Sequence, residues 1–189
     1  MARPFLTDVA MTVARLEAVH CPKTTNKGIV GLLTEKLTGI PASSAHLDCI
    51  DGEVKVFPLK RLASGKVVPK ETIAVTMLNQ GHLRDQETFE SSTCGTKLRR
   101  VLYVPYLREG DTVRFFPATD LTLTPELTAT LAKDYAAIRA GFLADGTLSS
   151  TTGTYLQTRT KGAGRGAPKT RAYYLRTQFI TTFLPQTWQ

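Results

Sequence analysis

The stretch "HLDCIDGEVKVFPL", residues 46–59, places three acidic side chains directly ahead of an apolar, β-branched run. The Asp-Gly pair at 51–52, between apolar flanks, is a strong signal for a two-residue hairpin with a type I′ turn. Counting outward from that turn pairs Asp48 with Lys55, and side-chain alternation adds Glu53 to the same face. We therefore predict a β-hairpin whose sheet face carries two carboxylates and a lysine.

Two carboxylates and a lysine on one sheet face suit phosphodiester hydrolysis. Carboxylate oxygens are hard ligands for Mg²⁺, which keeps several waters and binds phosphate oxygens. The metal lowers the pKa of a bound water, and a nearby ammonium group orients that water. A plain salt bridge between Asp48 and Lys55 explains the same spacing and is the commoner arrangement. Asp51 takes the place of Asp48 as first metal ligand if the hairpin register differs.

Length and composition describe one ordinary globular domain over residues 1–189. The chain is 42% hydrophobic and 21% charged, and no apolar run approaches the roughly 20 residues of a membrane span. Three widely spaced cysteines without a Cys-x-x-Cys pair argue against a disulfide framework. They predict a reducing, cytoplasmic setting.

Positive charge is concentrated towards the C-terminus. The net charge is +8, and residues 146–189 contain six basic side chains and no acidic one. Part of this segment is a Gly-rich basic loop at 161–170. Such a one-signed segment attracts polyanions, of which nucleic acid is the commonest, although a solvated basic tail has the same composition.

The apolar period predicts a chain of mixed helices and strands. Helical spacing predicts helices at 5–19, 25–39 and 123–143. Thr124 as N-cap and Pro125 in the first turn mark the start of the last helix. β-branched and aromatic segments predict strands at 53–59, 72–78, 99–106 and 112–118. The predicted fold class is α/β (α+β), a central mixed, largely antiparallel sheet flanked by helices.

Five stretches carry a more specific signal: "NKGIVGLLTEKLTG" (26–39), "LDCIDGEVKVFPL" (47–59), "TKLRRVLYVPY" (96–106), "GTYLQTRTK" (153–161) and "RAYYLRTQF" (171–179). In this order, they resemble motifs of the MutH-type branch of the PD-(D/E)xK nuclease superfamily. That branch includes the mismatch-repair nicking enzyme MutH and related GATC-cleaving type II restriction endonucleases. The resemblance implies a restriction-endonuclease-like fold and a Mg²⁺ cofactor.

The resemblance also implies an active site. Its catalytic residues would be Asp48, Glu53, Lys55, Lys97 and Glu35, with Asp48 and Glu53 as the metal ligands. Glu35 would complete the acidic pocket from a helix, and Lys55 would orient the attacking water. Lys97 would support the scissile phosphate or the water. Without the resemblance, Lys97 is better interpreted as a surface lysine of a charged run.

The same resemblance implies a set of DNA-contacting residues, namely Lys27, Arg159, Lys161, Tyr174 and Arg171. An arginine such as Arg159 suits bidentate contact with guanine or with phosphate. Tyr174 corresponds to a base-contacting tyrosine of the family, although a tyrosine pair on a strand equally serves packing.

The resemblance thus implies a Mg²⁺-dependent type II restriction endonuclease that cuts double-stranded DNA at GATC-like sites. Residues 155–183 would form its basic DNA-contacting part, and no membrane partner is expected. One alternative is a mismatch-repair nickase of hemimethylated DNA that a MutL-type partner activates. Another is a catalytically inactive DNA-binding module. The oligomeric state stays open, a homodimer on DNA included.

Overall fold

The computed structural model describes residues 2–26, 28–42, 45–85, 87–161, 170–186 and 188. The elements fall into two compact units. The first comprises residues 1–71, 100–122 and 183–189, and the second comprises residues 72–99 and 123–182. The sequence predicted one nuclease domain over residues 1–189, which would include both units. That assignment stays a prediction.

The first unit is built on a mixed sheet with two helices. The helices are α1 (Leu6–Ala14) and α2 (Ile29–Thr38). Numbered along the whole chain, its strands are β1 (Ala18–His20), β2 (Glu53–Arg61), β3 (Val67–Pro69), β5 (Arg100–Glu109), β6 (Thr112–Phe115) and β7 (Thr119–Thr122). The strand order is β1-β6-β5-β2-β3, and β7 also pairs with β5. Only the pairing of β2 with β5 is parallel among these strands, which confirms a mixed, largely antiparallel sheet.

The parallel pair β2–β5 forms the centre of the first unit. Its register runs from Glu53 opposite Val101 to Leu59 opposite Leu107. Apolar side chains of one sheet face pack with α1 and α2 into a buried core that includes Leu6, Val9, Val13, Val30, Val54, Leu102 and Val104. Burial of this core supplies the main stabilisation of the unit, since each fully buried aliphatic side chain contributes about 1.5–3 kcal/mol.

The second unit contains a separate three-stranded sheet. Its strands are β4 (Ile73–Met77), β8 (Leu156–Lys161) and β9 (Thr170–Leu175), which pair antiparallel in the order β4-β9-β8. Its helices are α3 (Gln80–Arg84), α4 (Thr93–Leu98) and α5 (Pro125–Asp145), and residues 177–182 of α6 (Thr177–Phe183) belong to it as well.

Helix α5 matches its sequence signals closely. The Thr124 hydroxyl oxygen accepts a hydrogen bond from the Leu127 amide at 3.3 Å, so Thr124 is the predicted N-cap. Gly146 ends the helix in the left-handed conformation, with φ of 75°. The predicted apolar stripe, Leu127, Leu131, Tyr135 and Ile138, is buried.

The first predicted helix is shorter than expected. Apolar spacing predicted a helix at 5–19, but α1 ends at Ala14, and Val19 lies in β1 opposite Val113 of β6. Strand pairing with β6 overrides the helical period here. Val19 is β-branched, and such residues favour strands over helices.

The predicted hairpin at 51–52 is wrong. Residues 46–51 form bends, and Gly52 does not have the positive φ that a type I′ turn needs. Glu53 pairs with Val101 in the parallel ladder, and Lys55 lies opposite Tyr103 rather than Asp48. The non-local pairing with β5 therefore replaces the local turn, and only the strand that starts at Glu53 survives from the prediction.

Two further features bear on the class of protein. The three cysteines are free and buried. None of the helices in the described ranges combines the length and the apolar character needed to cross a membrane.

Candidate active site

The acidic loop, residues 46–52, is tied to the N-terminal strap, residues 3–6. The Arg3 guanidinium donates to the Leu47 carbonyl at 3.0 Å, and the Ile50 amide donates to the Pro4 carbonyl at 3.0 Å. These contacts join segments more than forty residues apart in sequence. The loop therefore has a defined path ahead of β2 although it contains no regular secondary structure.

Asp51 has a structural role in this loop. One carboxylate oxygen accepts from the Leu6 amide at the start of α1, at 2.9 Å, and the other accepts from the Arg100 guanidinium at 2.6 Å. A β-carbon on Gly52 would lie 2.5 Å from the Leu6 side chain and 2.6 Å from the Arg100 carbonyl oxygen. The backbone at Gly52 lies too close to α1 and β5 to leave room for a side chain. This close approach explains the Asp-Gly pair, which does not form a hairpin turn.

Glu53 contacts both Asp48 and Lys55. The Asp48 amide donates to Glu53 Oε2 at 3.3 Å, and Asp48 Oδ2 accepts from the Val54 amide at 3.1 Å. Lys55 Nζ donates to Glu53 Oε1 at 2.7 Å. Glu53 is only 1% exposed, so this ion pair is largely shielded from water. The salt-bridge partner of Lys55 is therefore Glu53, where the hairpin had predicted Asp48.

Glu35 joins this group from helix α2. It lines a cavity of about 100 Å³ together with Asp48, Val54 and Val56. Partial burial, and then the negative charge of Asp48, raise the pKa of Glu35, while the positive charge of Lys55 acts in the opposite direction. The first unit thus brings together four of the five predicted catalytic residues.

The donor atoms of this group fit a hard divalent cation. Asp48 and Glu35 present carboxylates to one cavity, and Mg²⁺ is held by one or two carboxylates while it keeps several waters. Burial and the charges of Asp48, Asp51 and Glu53 raise the pKa of Cys49 to about 12, so its thiol stays protonated and is a poor ligand. Within the described ranges, no three Asp, Glu, His or Cys side chains form a closed ligand cluster.

We expect Glu35→Gln to make the metal-free protein more stable above the raised pKa of Glu35. A carboxyl with a raised pKa in the folded state loses stability as pH rises from about 4.5 through that pKa. Glutamine mimics the protonated form, so the gain should be at most about 1 kcal/mol at neutral pH and vanish at pH 4. Urea unfolding at several pH values in a chelator measures it. A pH-independent difference would contradict the proposed origin of the shift.

The second unit carries most of the predicted DNA-contacting residues on β8 and β9. Arg159 lies with its guanidinium carbon 5.8 Å from the ring centre of Tyr174, and it donates to the Thr72 hydroxyl at 3.0 Å. Lys161 follows two residues after Arg159 and shares its face of the strand. These three side chains form an exposed or half-exposed set on one face of the sheet.

Arg171 is placed differently from the other predicted DNA contacts. It lies opposite Thr160 and donates to the Thr158 hydroxyl at 3.4 Å, on the other face of the β8–β9 pair. The β8–β9 pair therefore brings Arg159, Lys161 and Tyr174 together but does not bring Arg171 to them.

We expect Lys161→Ala to weaken DNA binding across all sequences. Removing one phosphate contact should reduce the slope of log K against log salt concentration by about 0.9. Fluorescence anisotropy over a salt series measures this slope. Lys133→Ala, which removes an exposed lysine of α5, is the matched control and should leave the slope unchanged. An unchanged slope for Lys161→Ala would remove it from the DNA-contacting set.

The two further predicted site residues are Lys97 and Lys27. Lys97 belongs to α4 in the second unit, three residues before β5 begins. Lys27 and the central part of the Gly-rich basic loop, residues 162–169, lie outside the described residues. Their predicted roles stay predictions.

Asp134 is an anchoring residue that the sequence analysis missed. This buried carboxylate of α5 accepts from the amides of Thr154, Tyr155 and Leu156 at 2.7, 2.7 and 2.8 Å. These bonds fix the chain where β8 begins, ahead of Arg159. The signal was an acidic residue in the buried stripe of an amphipathic helix, three residues after Leu131.

One known family matches the chain over part of its length. Residues 41–125 match the model of a family described as "DNA mismatch repair enzyme MutH". The matched region contains the acidic loop, β2, α4 and β5. No curated protein gives a significant match to the chain.

Proposed function

We propose, from the premise that this chain is a MutH-type member of the PD-(D/E)xK nuclease superfamily, that it is a Mg²⁺-dependent type II restriction endonuclease. The family match supports a DNA endonuclease of the MutH and restriction-enzyme kind. The proposed part is the metal, autonomous cutting of both strands, and recognition of a defined GATC-like sequence.

The contacts of Glu53 with Asp48 and with Lys55 are the observation that supports this proposal. A Glu-x-Lys pair at the start of a strand is common, but here Glu53 contacts both Lys55 and the amide of the loop residue Asp48, and Asp48 lines one cavity with Glu35 of helix α2. Carboxylates beside an ammonium group supply what hydrolysis of a phosphodiester needs: ligands for a hard cation and a cation near the developing charge.

Each residue of the group has a distinct proposed role. Asp48 and Glu53 would hold the metal, and Glu35 would add a carboxylate from the cavity that it lines with Asp48. When bound, Mg²⁺ would polarise the scissile phosphate and supply a water of lowered pKa. Lys55, fixed by Glu53 at 2.7 Å, positions the attacking water. Lys97 is proposed to support the phosphate.

Sequence recognition is assigned to the second unit. Arg159 is held by Thr72 and by the ring of Tyr174, so its guanidinium is partly preorganised for a planar acceptor such as a guanine edge or a phosphate. Lys161 beside it adds a sequence-independent phosphate contact. This division of roles favours a sequence-specific enzyme over a non-specific nuclease.

Plasmid cleavage tests the proposal. Purified protein is incubated with Mg²⁺ or with a chelator, on GATC-methylated and unmethylated supercoiled plasmid. Linear products that require Mg²⁺ and no second protein support a restriction enzyme. Nicking that appears only with a MutL-type protein on hemimethylated DNA supports the mismatch-repair alternative. Tight binding without any cleavage would support an inactive DNA-binding module and overturn the proposed activity.

A further inference from the structure

The first unit has a second charged concavity, away from the carboxylates. Two adjoining cavities of about 480 and 470 Å³ share Lys23, Pro58, Lys70, Tyr106 and Arg108 as lining residues. Pro58 and Tyr106 are neighbours in the parallel register of β2 and β5 and form the floor. We call this concavity the basic groove.

The basic groove is strongly cationic. Five basic side chains line it, Lys23, Lys60, Arg61, Lys70 and Arg108, against the two carboxylates Glu71 and Glu109. These charges give the groove a net charge of +3. The exposed Arg61 and Glu109 pair with each other at 3.4 Å, which leaves Glu71 as the other carboxylate among the lining residues. Asp111 lies at the edge, where its Oδ1 accepts from the Lys23 amide at 3.3 Å.

The cations differ in how firmly they are held. The Arg108 guanidinium donates to the Cys21 carbonyl and lies 3.2 Å from the Cys21 sulfur, which fixes it at the edge of the floor. Within the described part of the chain, Lys23, Lys60 and Lys70 are exposed and enter no ion pair. Self-repulsion among unpaired cations costs stability, so folding does not explain their concentration.

The position of the groove relates it to the candidate active site within the same unit. Val54 and Val56 line the carboxylate cavity, and Pro58 and Lys60 follow on the same face of β2, by strand alternation. Six residues of strand span about 20 Å. Duplex DNA rises 3.4 Å per base pair, so this length corresponds to roughly six base pairs.

We propose that the basic groove binds the phosphate backbone of the substrate duplex outside the cut site, about six base pairs from the scissile phosphate. Lys23, Lys60 and Lys70 neutralise phosphates, and the fixed Arg108 and the Tyr106 hydroxyl donate hydrogen bonds to phosphate oxygens. This inference rests on the proposed DNA-cleaving function and adds a flanking-DNA requirement to it. A free nucleotide is the competing occupant that the test must separate.

Binding at two duplex lengths tests the groove. The double variant Lys60→Gln, Lys70→Gln is compared with Arg15→Gln, Lys133→Gln, which removes two exposed charges elsewhere. Salt-dependent binding is measured by anisotropy in a chelator, on GATC-centred duplexes of about 10 and about 30 base pairs. Circular dichroism verifies that both variants fold.

The expected result is a difference that depends on duplex length. On the long duplex, the groove variant should lose about 1.8 from the slope of log K against log salt, about 0.9 for each phosphate contact. On the short duplex, the slope of the groove variant should match that of the wild type. The slope of the control variant should match that of the wild type on both duplexes. An unchanged slope on the long duplex, or an equal loss on both lengths, would overturn the inference. So would competition by a mononucleotide that abolishes only the groove contribution.

These outcomes are separable from failure of the proposed function. A chain that cuts plasmid with Mg²⁺ but shows no groove dependence loses only the groove assignment. A chain whose binding depends on the groove but that cuts no plasmid keeps the groove assignment and loses the catalytic proposal.

Discussion

Glu53→Ala should reduce DNA cleavage at least about 1,000-fold while duplex binding in a chelator stays near the wild-type level. A metal held by Glu53 would stabilise the transition state by several kcal/mol. Each 1.36 kcal/mol of that stabilisation lost lowers the cleavage rate tenfold. The same change removes the partner of Lys55 at 2.7 Å, so the proposed water-positioning group also loses its fixed place. Single-turnover cleavage with Mg²⁺ measures the rate.

Two further variants separate chemistry from folding. Glu53→Gln keeps the shape of this buried side chain and should lose activity to a similar extent, which shows that a folding defect is not the cause. Glu17→Gln removes an exposed carboxylate and should cut normally. If Glu53→Ala still cleaves DNA, the active site has been assigned to the wrong residues.

Asp134→Ala should cause the largest loss of stability among the changes considered, about 3–5 kcal/mol. Its carboxylate accepts three backbone hydrogen bonds, and a hydrogen bond to a charged group contributes about 1.5–3 kcal/mol. Urea unfolding measures the loss. DNA affinity should fall with it, because the affected residues begin β8 and Arg159 follows on the same strand.

A matched control lies at the end of the same helix. Asp145 accepts one hydrogen bond, from the Thr147 amide at 2.8 Å, at an exposed position, so Asp145→Ala should cost less than about 1 kcal/mol. Asp134→Asn keeps one acceptor oxygen and should fall between the two alanine variants. Equal stability of Asp134→Ala and Asp145→Ala would contradict the anchoring role.

Elements with local signals were predictable from the sequence. Thr124, Pro125 and the apolar stripe define helix α5, and Gly39 ends α2 in the left-handed conformation as expected from its position. In each case, a capping residue and a regular period act within a few residues of each other. The start of β2 at Glu53 was predictable for a similar reason, since β-branched residues follow an Asp-Gly pair.

Features that depend on distant segments were not predictable. The hairpin prediction failed because Glu53 pairs with Val101, forty-eight residues later, in a parallel ladder that no local pattern encodes. Asp51 was predicted as a residue of the hairpin turn. Its bonds to Leu6 and Arg100 come from sequence separations of 45 and 49 residues.

The candidate site was predictable as a set of residues rather than as a geometry. The family resemblance selected Glu35, Asp48, Glu53 and Lys55, which the structure brings together in one unit. The resemblance gave no indication that Lys55 forms an ion pair with Glu53. The basic groove was missed because Lys23, Lys60 and Lys70 are scattered in sequence and meet only through the sheet.

The N-terminal strap has a consequence for the order of folding. The acidic loop is secured by contacts with residues 3–6 on one side and Arg100 on the other. Contacts of such long sequence separation raise contact order and form late, because the intervening chain must close first. A nascent chain that has not reached Arg100 therefore lacks the Arg100 contact with Asp51. The carboxylates of the acidic loop should acquire their arrangement only after β5 has joined the sheet, which makes the catalytic geometry one of the last features of the first unit to appear.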